Sequence, residues 1–227
     1  MVINLKTNTM FKSIKTGVLA AILISTAIVA HAQKRITEGT LVYGITYKVE
    51  TPDAPKETKI KFNGDISTMS FQAGPAAIGI YIDQKTGAGL VTVDVPVAQM
   101  QKAAKTSKAD NEENDPYKQT LSDFKATGEK AVILGYNTEK YTFKNEKGES
   151  SELWATTELE LPINMVTSNF KNFKGTVMKF VDASNGNTTL LKSINEAKVG
   201  VLSITSVPKG YDEMTYAEMK AMQGGGE

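Results

Sequence analysis

The sequence predicts a mainly β domain, a meander of short antiparallel strands with a few helices. Three observations point there. Apolar residues recur with period two, as in Leu41, Tyr43, Ile45, Tyr47 and Val49, the spacing that lines one face of a strand. Asn-Gly pairs at 63–64 and 185–186 stand between such runs, and both residues tolerate the positive φ of tight hairpins. In residues 130–157 an apolar run stops at Gly135, an alternating strand follows through Tyr141 and Phe143, and a polar turn leads to a strand with the only tryptophan, Trp154.

Residues 1–32 read as an export signal rather than as part of that domain. Lys6, Lys12 and Lys15 precede an uncharged apolar stretch at 17–29, and Ala30-His31-Ala32 is the small-x-small pattern of a cleavage site. The apolar run is short for a bilayer span. The mature chain then starts at Gln33, is periplasmic or secreted, and carries no transmembrane segment. Met10 starts a tighter signal than Met1, and the sequence leaves both starts open. In a chain of 227 residues, 41% hydrophobic, residues 33–223 suit one buried domain, with 224–227 a flexible tail.

Composition excludes several chemistries. The one histidine, His31, leaves with the signal, and there is no cysteine. The mature chain therefore lacks the usual general base, the soft metal ligands and any disulfide. Without the three lysines of the signal, 23 basic residues face 25 acidic ones, a net charge of about −2 that gives nucleic acid no purchase.

The elements follow in order. Residues 39–49 form the first strand, broken by Pro52 and Pro55. Residues 58–62 and 66–71 flank Asn63-Gly64 as a hairpin, and 78–83 with 89–95 form the next. Residues 97–108 are good helix formers and predict a short helix, followed by an acidic loop through Asp115. That loop lacks the glycine and terminal glutamate of a calcium hand. Residues 124–129 run extended into the central meander. Pro162 predicts the first turn of a helix that groups Met165, Val166, Phe170 and Phe173. Residues 177–181 and 188–194 make a hairpin, 199–207 a last strand, and 211–222 a terminal helix with Met214, Met219 and Met222 on its face.

The run Gly39 to Tyr47, the segment Ile133 to Tyr136 with Lys140-Tyr141, the stretch Glu152-Leu153-Trp154 to Leu159, and Val207-Pro208 to Tyr211 resemble the DUF4412 family of secreted bacterial proteins. That family is grouped with the LolA/LolB-like carriers. The resemblance implies a strongly curved antiparallel sheet, an unclosed β-barrel with helices on its concave side, and a cavity for lipoprotein acyl chains. It implies no catalytic residues.

The candidate lining of such a cavity is Tyr43, Tyr47, Phe62, Phe71, Ile80, Tyr141, Phe143 and Trp154, with Ile45, Ile82 and Ile133 beside them. The competing reading makes these residues plain core. No spacing selects a carboxylate pair for catalysis, and Glu152, Glu158 and Glu160 suit a solvent face. The three late methionines suit a docked helix better than a copper site. The expectation is a non-catalytic protein without cofactor or metal. It binds an apolar ligand, a lipid or lipoprotein acyl chain, or serves instead as an interaction domain for another envelope protein.

Overall fold

The computed structural model describes residues 33–50, 54–113, 115 and 118–224. The predicted export signal and the last residues of the predicted tail lie outside the described residues. Residues Gln33–Glu227 group as one compact unit.

Pairs of alternating runs close into hairpins wherever the chain supplies a turn. Strands β1 (Lys34–Arg35), β2 (Glu38–Thr46), β3 (Glu57–Asn63), β4 (Ile66–Ala73), β5 (Ala76–Asp83), β6 (Gly89–Val95) and β7 (Met100–Thr106) make the first half. The second half contains β8 (Ser122–Ile133), β9 (Tyr136–Lys144), β10 (Ser150–Thr156), β11 (Leu159–Glu160), β12 (Thr176–Val181), β13 (Thr188–Asn195) and β14 (Asp212–Met214). Two helices are described, α1 (Lys108–Glu113) and α2 (Tyr216–Gly224). The β8–β9 turn shows how local chemistry sets the connection. Leu134 and Gly135 both hold positive φ, 52° and 83°, as a two-residue turn matched to strand twist requires.

Twelve strands form one sheet in the order β14-β7-β6-β5-β4-β3-β2-β13-β12-β10-β9-β8. Neighbours are antiparallel except β14, which runs parallel to β7. The end strands β14 and β8 do not pair, so the sheet stays unclosed. Strands β1 and β11 form a separate two-residue parallel pair, Lys34 opposite Leu159.

Packing shows the sheet curling. Met69 on β4, and Ile133 and Tyr136 at the β8–β9 turn, all pack against one cluster containing Leu41, Tyr43, Ile60, Phe62, Leu159 and Met178. Strands β4 and β9 stand six places apart, about 29 Å across a flat sheet, so the two ends bend toward the same core. A second cluster joins Phe143, Leu153, Ala155, Phe170 and Val177.

Four expectations change. Residues 97–108 are not a helix: after a single 3-10 turn at Pro96–Ala98 the chain becomes β7. Pairing outweighs helix propensity there, because Ala103 and Ala104, both fully buried, complete the ladder with β6. The α-helix lies instead at Lys108–Glu113, inside the predicted acidic loop, where Ser107 and Asp110 cap each other reciprocally. Residues 162–173 hold only the 3-10 turn Ser168–Phe170, since Asn164 and Thr167 bond backbone groups locally. Residues 199–207 are irregular, and the short strand comes later as β14. The terminal helix starts at Tyr216, where a Thr215–Glu218 capping box fixes its first turn.

Candidate functional site

Register decides which side chains share a face. Across the ladder Tyr43 stands opposite Leu191, Leu41 opposite Ile60, Gly39 opposite Phe62, Ile60 opposite Met69, Met69 opposite Ile80, and Phe71 opposite Ile78. On the other wing Leu153 stands opposite both Tyr141 and Phe180, and Ser151 opposite Phe143. The face bearing both core clusters therefore bears six of the eight candidate residues, Tyr43, Phe62, Phe71, Ile80, Tyr141 and Phe143.

The other two stand elsewhere. Trp154 points to the outer face, between Lys140 on β9 and Lys179 on β12. The Lys140 ammonium sits 6.0 Å from its ring centre and bonds Glu152 at 2.8 Å and Glu129 at 3.5 Å. Those carboxylates, Glu152 first, hold the Lys140 pKa above its usual value. Tyr47 lies past the end of β2, its hydroxyl donating to the Pro55 carbonyl at 3.0 Å.

The six inner-face residues fall into two environments. Tyr43, Phe62 and Phe143 are buried to 2% or less, because the connection between β10 and β12 folds across them. Its Leu159, Leu161, Met165 and Val166 pack on the first cluster. Its Phe170 stands edge-on to Phe143 at 5.6 Å, and Phe173 edge-on to Tyr141 at 5.0 Å. One polar contact pins this covering segment. The Asn164 amide donates to the Tyr43 hydroxyl at 3.1 Å inside the core. Burial pushes the Tyr43 pKa up to about 12, against a smaller lowering by the Asn164 hydrogen bond. The hollow left beneath the segment, beside Tyr43, Asn164 and Phe170, measures about 20 Å³, room for a single water.

The inner face of β4–β7 is different. Met69, Ile78, Ile80, Ile82, Val91, Val93 and Val95 form an apolar sheet face, all half-buried, and Phe71 is 41% exposed. None of these belongs to a buried cluster, and only Met69 touches one. Of the candidate list this open face holds Phe71 and Ile80. Sequence reasoning missed Met69, Ile78, Val91 and Val93 as their neighbours. The alternation Val91-x-Val93-x-Val95 carried the signal, but only register shows that it shares a face with Ile80.

Among the described residues no three His, Cys, Asp or Glu converge as a metal group, and no described helix is long and apolar enough to cross a membrane. The fold defines a mainly β domain with one open, curled sheet whose inner face, among the described residues, is buried on one wing and half-exposed along β4–β6. No family model matches the chain, and no curated protein matches it significantly. Among solved structures it is similar to PNGF-II, at 17% identity and a TM-score of 0.49, over 82% of this chain but only 33% of that one. It is also similar to lipoprotein LppX of Mycobacterium tuberculosis, at 13% identity and a TM-score of 0.33, over 85% and 98% of the two chains. Neither overlap is close enough to assign a fold family.

Proposed function

We propose that this chain is a non-catalytic, exported binding protein of the cell envelope that takes an apolar, lipidic ligand on the half-exposed inner face of β4–β6. The observation that carries the reading is the half-exposed row through Phe71, Ile78, Ile80 and Val91, placed on the concave side of a curled sheet. A contiguous apolar surface left in solvent marks a binding surface in most soluble proteins. The covered half does not serve, since its hollow is far below the 300–1,000 Å³ or so of ligand pockets. The DUF4412 and LolA-like resemblance points to the same ligand class, the acyl chain of a lipid or lipoprotein.

Native mass spectrometry of the protein purified from the envelope tests it, with co-purified acyl species as the expected result. Ile80→Asp removes that species and leaves the far-UV spectrum unchanged. A clean apo mass, together with no thermal shift on adding fatty acid or lipoprotein, refutes the reading. A second reading has one specific support: Phe71 at the rim of this face is 41% exposed, which suits contact with the surface of another envelope protein. Ile80→Asp then loses a protein partner instead of a lipid.

A further inference from the structure

A separate pocket of about 130 Å³ opens at the β8–β9–β10 corner of the sheet, lined by Lys130, Asn137, Glu139, Tyr141, Ala155 and Thr157 among others. Its charges are arranged in an uncommon way. Lys130 and Glu139 stand directly opposite each other across β8 and β9, a spacing at which opposite charges normally pair. They form no ion pair with each other or with any other described residue, whereas Lys140 one residue along bridges two carboxylates. Glu139 is held in place by the Tyr141 hydroxyl, which donates to its Oε2 at 3.1 Å and leaves Oε1 open. Asn137 is fixed by its Nδ2 donating to Glu158 at 2.7 Å, with its own carbonyl oxygen left over as an acceptor. The Tyr141 ring, braced edge-on by Phe173 at 5.0 Å, and Ala155 supply an apolar wall.

A pocket with one positive and one negative group discriminates against a simple ion. A lone anion meets Glu139, a lone cation meets Lys130, and only a ligand carrying both charges satisfies the pair. We propose that this pocket binds a small zwitterion, an ammonium separated by one or two carbons from a carboxylate or a phosphate ester. The ammonium sits on Glu139 and Asn137, the anionic group on Lys130 and Thr157, and any apolar portion lies against Tyr141 and Ala155. The volume holds several waters and so a ligand of amino-acid size. Free amino acids and the phosphoethanolamine head of a lipid share this chemistry. The site is independent of the acyl-chain reading, because it lies on the opposite wing of the sheet from β4–β7.

Calorimetric titration of the protein purified from the envelope, with the twenty amino acids and with phosphoethanolamine, tests the site. The expected result is saturable binding of at least one of them. For a bound amino acid, its N-acetyl form or its amide weakens binding at least about tenfold. Glu139→Gln and Lys130→Met weaken either ligand as much, each removing one charged hydrogen bond. Both side chains reach solvent, so the variants keep the wild-type far-UV spectrum. Binding of amino acids alone assigns the source to free amino acids, and binding of phosphoethanolamine alone to a lipid head group. The proposal is overturned if none binds at about 10 mM, beyond the millimolar range of a single weak contact. It is equally overturned if the blocked analogues or the two variants bind as tightly as the parent pair.

Discussion

Replacing Tyr43 by phenylalanine measures whether water reaches the covered half of the inner face. The hydroxyl is fully buried and accepts a hydrogen bond from Asn164, so the variant leaves the Asn164 amide without its partner and costs about 1–2 kcal/mol near neutral pH. The alkaline behaviour is more informative. The Tyr43 pKa is raised from 10.0 to about 12, so the unfolded chain releases this proton first. Stability is at its full value below pH 10 and falls as pH rises toward 12, the folded state keeping a proton that the unfolded state has lost. Two pKa units correspond to about 2.7 kcal/mol. Every other tyrosine titrates alike in both proteins, so the difference between wild type and Tyr43→Phe isolates this group. Urea midpoints followed by circular dichroism at pH 8, 10, 11 and 12 read it out. The wild type starts about 1–2 kcal/mol ahead and loses that lead near pH 11–12. Parallel curves across the whole range mean that Tyr43 ionises normally. The region under the covering segment is then wet, and a cavity opens there after all.

Two further perturbations contrast the packed and bare regions. Leu159→Ala, at a fully buried position in the covering segment, lowers unfolding stability by about 2–5 kcal/mol. Phe71→Ser, at a side chain 41% exposed, costs under about 1.5 kcal/mol by the same urea assay, and equal losses contradict the division of the inner face. Gly89→Ala places a Cβ 2.5 Å from the Tyr81 carbonyl oxygen and 2.8 Å from the Thr106 hydroxyl. It costs about 1–3 kcal/mol, and a neutral result shows that β5 and β6 part there more easily than their ladder implies.

The hairpins were legible because their signals are local. Gly64 and Gly135 hold the positive φ their turns need, and the alternation in β2, β5, β6 and β9 decides which residues pair by face. The errors share a cause as well. Residues 100–106 carry helix-forming Gln, Lys and Ala, yet the neighbouring edge of β6 recruits them as a strand, a choice made outside any local window. Residues 162–173 show helical spacing of apolar groups, but those groups must spread over two clusters on a concave surface, which a straight helix does not reach. For the site, six of the eight listed residues share the face that bears the two core clusters. Trp154 stands on the other face because a strand through the covered core still turns alternate residues outward, and Trp154 follows Leu153 directly.

The bare face is not simply a place where the chain ran out of cover. Antiparallel sheets normally turn apolar side chains to the core and polar ones to solvent, whereas along β4–β6 apolar side chains stand on both faces. The inner row, half-exposed, reads Met69, Ile80 and Val91 straight across three strands. The outer row of the same strands contains Tyr81 and the buried Leu90 beside Ser70, Thr92 and Asp94, and there Thr68 and Thr92 are buried to 6%, with Tyr211 held close to Asp94 and Tyr81. Thr68 even buries its hydroxyl without a hydrogen-bond partner, at a cost of about 1–3 kcal/mol. Exchanging the two rows would cover Ile80 and Val91 but expose Leu90 and Ala103, which are now buried. Under the proposed function the apolar row that stays half-exposed is the one a ligand covers, and Ile80→Asp tests binding apart from folding.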